Sequence, residues 1–173
     1  NNSKWGINSY AFDGNGDYLQ VAYNPLWANF PKDFTVEFWF YANSINASGA
    51  GNVLVTQRNF STNQYVPYVI WLVGGAVIVS MSSNNSSWDI INGANAGSVS
   101  ANTWYHFALV RSGSSIKTYL NGTAQTAAAT STASFSGPVI PLNIGYSIET
   151  STYFNGYIED LRITTGYADR KST

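Results

Sequence analysis

The chain has 173 residues, a formal net charge of −1 and no cysteine; 16% of its residues are aromatic and only 10% charged, against about 25% charged in an average soluble domain. Disulfides and thiolate metal sites are excluded. The lack of a basic cluster argues against nucleic acid as a partner, and no apolar run reaches the length of a membrane span, so membrane insertion is not expected. Asn, Ser, Thr and Gly take the place of the missing charges. The surface they imply is neutral and hydrogen-bonding, which suits sugars or a packed assembly. The length fits one domain over residues 1–173 that buries ~70% of its unfolded surface. The chain begins with Asn1, with neither an initiator Met nor a signal peptide, and is expected to be a fragment, a processed product or a module of something longer.

In chain order, residues 1–8 are polar apart from Trp5 and Ile7 and read as a lead-in. A short strand is expected over Ser9–Phe12, followed by the tight turn Asp13-Gly14-Asn15-Gly16-Asp17, rich in residues that tolerate unusual φ. Tyr18–Ala22 reads as a strand and 24–32, with Pro25, Trp27 and Pro31, as a loop. Phe34–Tyr41 alternates cleanly: Phe34, Val36, Phe38 and Phe40 share one face, Thr35, Glu37, Trp39 and Tyr41 the other. Strands are expected over Asn52–Arg58, from beyond Pro67 to Val73 and, after Gly74-Gly75, over Ala76–Met81. Ser82–Ser87 is a polar run that displays Trp88, and 89–102 is mixed.

Trp104–Arg111 is again a strand, apolar on both faces and expected to be covered on both. Ser112–Ser115 turns it into Ile116–Leu120, and Asn121-Gly122, a strong hairpin signal, returns the chain through Thr123–Ala128. Residues 127–137 read as a surface crossing, 142–144 as a strand and Tyr153–Ile163 as a strong final strand. No segment keeps a helical apolar period over three turns. Many short strands with regular turn signals predict an all-β, two-sheet antiparallel sandwich.

Three segments carry a family resemblance, in order and across nearly the whole chain. They are Phe12-Asp13-Gly14-Asn15-Gly16-Asp17-Tyr18-Leu19 with Phe34-Thr35-Val36-Glu37-Phe38-Trp39; Trp104-Tyr105-His106-Phe107-Ala108-Leu109-Val110-Arg111 with Tyr119-Leu120-Asn121-Gly122; and Phe154-Asn155-Gly156-Tyr157-Ile158-Glu159-Asp160-Leu161-Arg162-Ile163. Together they resemble the laminin-G-like, concanavalin A-like jelly-roll modules. The closing Asp160–Ala168 looks most like versions in bacteriophage structural proteins.

Catalysis is not expected. Glycoside hydrolysis needs two carboxylates across the scissile bond, and the E-x-D-x-x-E arrangement of related glucanases is missing. Glu37 stands alone, Glu159 and Asp160 are strand neighbours that point to opposite faces, and the one histidine, His106, sits in an apolar strand as an expected core residue. Asp13 and Asp17 flank a Gly-rich turn. They either close Asx-turns or offer oxygens to Ca²⁺. In the latter case the resemblance implies Asp160 as the third ligand and the ion as a structural cofactor.

Of six tryptophans, Trp39, Trp71 and Trp104 are expected in the core, while Trp5, Trp27 and Trp88 lie in or beside polar loops. An exposed ring beside amides suits a sugar, and Trp88 with Asn84, Asn85 and Asp89, and with Tyr65 and Tyr68 nearby, is the expected ligand cluster. Two functions stand on these observations. One is a non-catalytic structural or adhesion module of a virion, as capsid decoration or tail-fibre component, packed against neighbouring subunits. The other is a lectin-like, glycan-binding module of a larger secreted or surface protein. Either places the chain on a virion surface or in an extracellular setting.

Overall fold

The structure, a computed structural model, describes residues 3–4, 8–48, 51–59 and 62–168. In chain order the elements are β1 (Tyr10–Asp13), β2 (Leu19–Val21), α1 (Pro25–Ala28), β3 (Asn29–Phe30), β4 (Phe34–Ala42), β5 (Asn52–Thr56), β6 (Val69–Val73), β7 (Ala76–Met81) and β8 (Ile91–Ser98). They continue with β9 (Trp104–Ser112), β10 (Ser115–Leu120), β11 (Thr123–Thr130), β12 (Phe135–Ser136), β13 (Leu142–Ile144), β14 (Tyr146–Ser147), β15 (Thr152–Tyr153) and β16 (Asn155–Thr165). One six-stranded sheet has the order β1-β16-β4-β9-β10-β11 and the other β2-β13-β5-β6-β7-β8. All their pairings are antiparallel. The all-β sandwich is as the turn spacing predicts.

The alternation in β4 decides what lies between the sheets. Phe34, Val36, Phe38 and Phe40 are buried, and the register sets Phe38 opposite Phe107 and Val36 opposite Leu109 on β9. The second sheet answers with Leu54, Ile70, Leu72, Val77, Val79 and Met81, all fully buried in the same core. The central meander β9-β10-β11 turns at Asn121 and Gly122, with φ of 50° and 77°, and the β6-β7 hairpin turns at Gly74 and Gly75, with φ of 60° and 74°. These are the positive angles that a two-residue hairpin needs.

Four departures from the sequence expectations stand out in how the elements form. Residues 25–28 form one helical turn within the expected loop: Pro25 supplies a preset φ at its start and the Asn24 side chain accepts from Leu26 N–H. Residues 91–98 form a full strand despite two glycines, because pairing with β7 supplies the ladder that propensity does not. Trp39, Trp71 and Trp104 are half-buried on the outer faces, since each alternates with the inward-facing residues of its own strand. Finally, β16 carries a bulge: Glu159 pairs with Trp39 but Arg162 pairs with Glu37, so β16 spends one residue more than β4, and Asp160 takes φ 52°. Glu159 and Asp160 are therefore not simple alternating neighbours; both line one groove at the sheet edge, beside Leu161.

Candidate functional site

β16, β4 and β9 lie side by side, and their register stacks outward-facing residues in rows. Glu159, Trp39 and His106 form one row; Tyr157, Tyr41 and Trp104 form the next towards one end, and Arg162, Glu37 and Ala108 the next towards the other. Rows two residues apart along a strand are separated by about 7 Å. Beyond Ala108 the outer face closes over, where Ala108, Val110, Tyr119 and Ala168 bury one another. The expected two-sided cover of β9 holds for that half of the strand only.

The open half has a hollow of about 410 Å³ lined by Glu37, Trp39, His106, Asp160, Leu161 and Arg162. Its base is Glu37, whose side chain is 7% exposed. A charge so buried requires partners. Oε1 accepts from Arg162 Nε at 2.8 Å and also from Arg162 Nη2, and His106 Nε2 lies 3.4 Å from Oε2. Glu37 therefore does not stand alone, and His106 faces outward in contact with Trp39, ring centroids 5.1 Å apart, rather than into the core. Lys4 Nζ stands 5.5 Å from the Trp39 ring centroid. The backbone of this lead-in is pinned to the same face: Lys4 N–H and the Ser3 hydroxyl donate to Glu159 Oε2 at 2.8 and 2.9 Å. The neighbouring row is an aromatic group, with Tyr41 5.6 Å from Trp104 and 5.9 Å from Tyr157 between centroids.

The Trp88 cluster is only partly assembled. Tyr65 meets Trp88 edge-on at 5.2 Å, and the Arg58 guanidinium lies over the Trp88 ring at 5.5 Å. Arg58 also pairs with Glu149 at 2.7 Å and donates to the Gln64 carbonyl. Burial pushes the Glu149 carboxyl upward and outweighs the pull of Arg58 in the other direction. Asn84 Oδ1 is turned onto its own loop, where it accepts from Ser86 N–H and Ser87 N–H, and Asn85 Nδ2 donates to the Ser136 carbonyl. Asp89 accepts from the Ser83 N–H and hydroxyl. Desolvation opposes its charge, but these hydrogen bonds outweigh it and hold the carboxyl below its usual value.

Tyr68 is a correction. It is 3% exposed and packs on Phe30 in the core, 5.9 Å between centroids, with burial pushing its phenol upward. Tyr68 follows Tyr65 by three residues, beyond the buried Val66 and Pro67 and directly before β6, and it cannot face a ligand beside Trp88. Of the other loop tryptophans, Trp27 is half-buried against Tyr23, and Trp5 lies outside the described residues.

The acidic triad does not meet either. Asp13 pairs with Asn155 in the β1-β16 ladder. Asp160 lies five residues further along β16, about 17 Å away at the rise of a strand. The oxygens of Asp13 and Asp17 serve their own turn, accepting from Asn15 N–H at 2.6 Å and Asp13 N–H at 3.3 Å. Among the described residues no group of three or more His, Asp or Glu side chains could hold a metal ion. Asp13, Asp17 and Asp160 thus do not fit a shared Ca²⁺.

The sheet-face hollow was half-visible in the sequence. The alternation in Phe34–Tyr41 already groups Glu37, Trp39 and Tyr41, and that in Trp104–Arg111 groups Trp104 with His106. Which strand lies beside which was missing.

Comparison with known proteins agrees with this architecture. Residues 13–168 match the family model Laminin_G_3, described as the concanavalin A-like lectin/glucanases superfamily. No curated protein sequence matches. Among solved structures, the LG4-5 domains of the mouse laminin alpha1 chain are similar with TM-score 0.63 and 16% identity, over 95% of this chain and 42% of that one. The binding domain of botulinum neurotoxin DC, solved in complex with rat synaptotagmin II, gives TM-score 0.66 at 14% identity over 95% and 43%. Domain 4 of AbnA, a GH43 extracellular arabinanase from Geobacillus stearothermophilus solved in complex with arabinotriose, gives 0.60 at 16% over 96% and 80%. The chain spans less than half the length of the laminin and neurotoxin chains that it matches. With its family model matched from the first turn to the end of the closing strand, the chain belongs to the concanavalin A-like lectin/glucanase superfamily.

Proposed function

We propose that the chain is a non-catalytic, extracellular glycan-binding module that reads its ligand on the outer face of the first sheet. The observation that carries this is the hollow where Trp39 stands beside Glu37, His106, Asp160 and Arg162. Apolar C–H faces of a sugar stack on an aromatic ring, and its hydroxyls find carboxylate acceptors and imidazole and guanidinium donors around that ring. All but the bulged Asp160 and Leu161 stand on paired positions of β4, β9 and β16, so the site costs little ordering on binding. Glu37 has both oxygens turned to Arg162 and His106, the posture of a structural acceptor rather than a proton donor. A domain of an arabinanase, similar in fold, was solved with a trisaccharide, and a neurotoxin binding domain with a protein receptor. These support a binding module over a virion subunit, which rests on the resemblance of the closing segment alone.

The test is a glycan array. The intact chain should give reproducible hits, and Trp39→Ala should remove them with a change in Tm below about 4 °C, as for a substitution costing less than ~1 kcal/mol. A blank array, or release of reducing sugar from a polysaccharide, contradicts the proposal.

A further inference from the structure

Resting on the glycan-binding reading of the neighbouring hollow, we infer that the ligand is a linear oligosaccharide laid along the strands, and that its far, uncharged end is held by Tyr41, Trp104 and Tyr157 within a border of asparagines. β4, β9 and β16 keep their phase beyond the row of Trp39. The next outward position on each is aromatic: Tyr41, Trp104 and Tyr157, all half-buried. Their ring centroids form a triangle with sides of 5.6, 5.9 and 6.5 Å. None of the three belongs to a buried cluster of the described residues, so their open surface looks outward. Two residues further in the same direction, each strand reaches an asparagine. Asn43 Nδ2 donates to Asn155 Oδ1 at 2.7 Å, and the Tyr41 hydroxyl donates to Asn102 Oδ1 at 3.4 Å, which sets these amides on the side of the rings. Asn102 takes φ 61°, and its N–H donates to the Ala42 carbonyl at 2.7 Å.

These two rows combine what a neutral sugar needs. The rings offer faces for its C–H groups, and a carboxamide both donates to and accepts from hydroxyls. The bonds above use Asn43 Nδ2 and Asn102 Oδ1. The opposite ends of both amides, the Tyr157 hydroxyl and the Trp104 indole N–H have no hydrogen-bond partner among the described residues. The rows themselves carry no charge. Asp13, which pairs with Asn155 in the ladder, turns Oδ1 onto the Asn15 N–H at 2.6 Å. A uronate placed over the rings would lose hydration with no cation to replace it, whereas a neutral sugar keeps its hydrogen bonds. Length follows from the register. Trp39 to Asn43 is four residues of strand direction, about 14 Å, which is more than one sugar ring covers.

The test uses the whole chain on an array of mono- to hexasaccharides of glucan, xylan, mannan, galactan and arabinan, with oligogalacturonates of the same lengths. In whichever neutral series binds, affinity should rise about tenfold from one sugar to three, in line with one added ring contact and its hydrogen bonds, and the oligogalacturonates should stay blank. Trp104→Ala should weaken the trisaccharide about tenfold and leave the monosaccharide unchanged. Asn43→Ala alters an exposed side chain outside the core, so the fold is kept, and it should weaken the trisaccharide severalfold. Equal affinity for one and three sugars, full trisaccharide binding by Asn43→Ala, or binding of oligogalacturonate that Trp104→Ala removes overturns the inference. If Trp39→Ala still abolishes binding in that event, the reading of the hollow stands. An array on which no glycan binds removes both.

Discussion

Phe38 is fully buried, meets Phe107 across the ladder at 5.6 Å and Phe40 at 6.0 Å between ring centroids. Phe38→Ala should therefore cost ~3–5 kcal/mol in denaturant unfolding, the range for a deleted core aromatic; a loss under about 1 kcal/mol would place the ring outside the core. The same strand shows how far single residues could be read from the sequence. Alternation alone separated Phe38 from Trp39, yet ring size suggested that Trp39 was core too, and the structure sides with alternation. Size says how much a residue could bury; only the phase along the strand says whether it does. Tyr68 fails in the opposite sense. It lies between Pro67 and the first residue of β6, and nothing local marks its ring as one that turns inward beside Phe30.

At the level of elements, strands with a clear alternation or a two-glycine turn were legible, and those stabilised from outside were not. β8 has the composition of a loop and is a strand because β7 offers it hydrogen-bonding partners. The bulge in β16 is likewise invisible in sequence, and it shapes the site. The extra residue leaves both Asp160 and Leu161 at the hollow, between the positions that pair with Trp39 and Glu37. Deleting Asp160 would continue the unshifted ladder: Arg162 would still meet Glu37, and Leu161 would fall opposite Phe38 on the inner face. The deletion variant should fold to an all-β protein by circular dichroism and lose the glycan binding of the intact chain. Retained binding would show that the bulge is incidental to the site.

At the level of the whole molecule, the candidate site is a product of pairings between distant stretches, and that is why its parts were seen separately and not together. β4 and β9 are about seventy residues apart, and β16 inserts between β1 and β4. Removing residues 155–173 takes away β16, the one ladder partner that β1 has among the described residues and a partner of β4 as well. Such a truncated chain should show no cooperative thermal transition; a sharp melt would mean that the rest of the sandwich is self-sufficient. The same insertion sets an order in time. As the chain leaves the ribosome, β1 emerges first and finds no partner until nearly all the rest has followed. The hairpins β6-β7 and β9-β10-β11 can form early because their contacts are local, whereas closure of the first sheet waits for its last strand to be synthesised. Until then the phenylalanines of β4 have an open edge beside them, and the nascent domain depends on protection from its neighbours until β16 has been made.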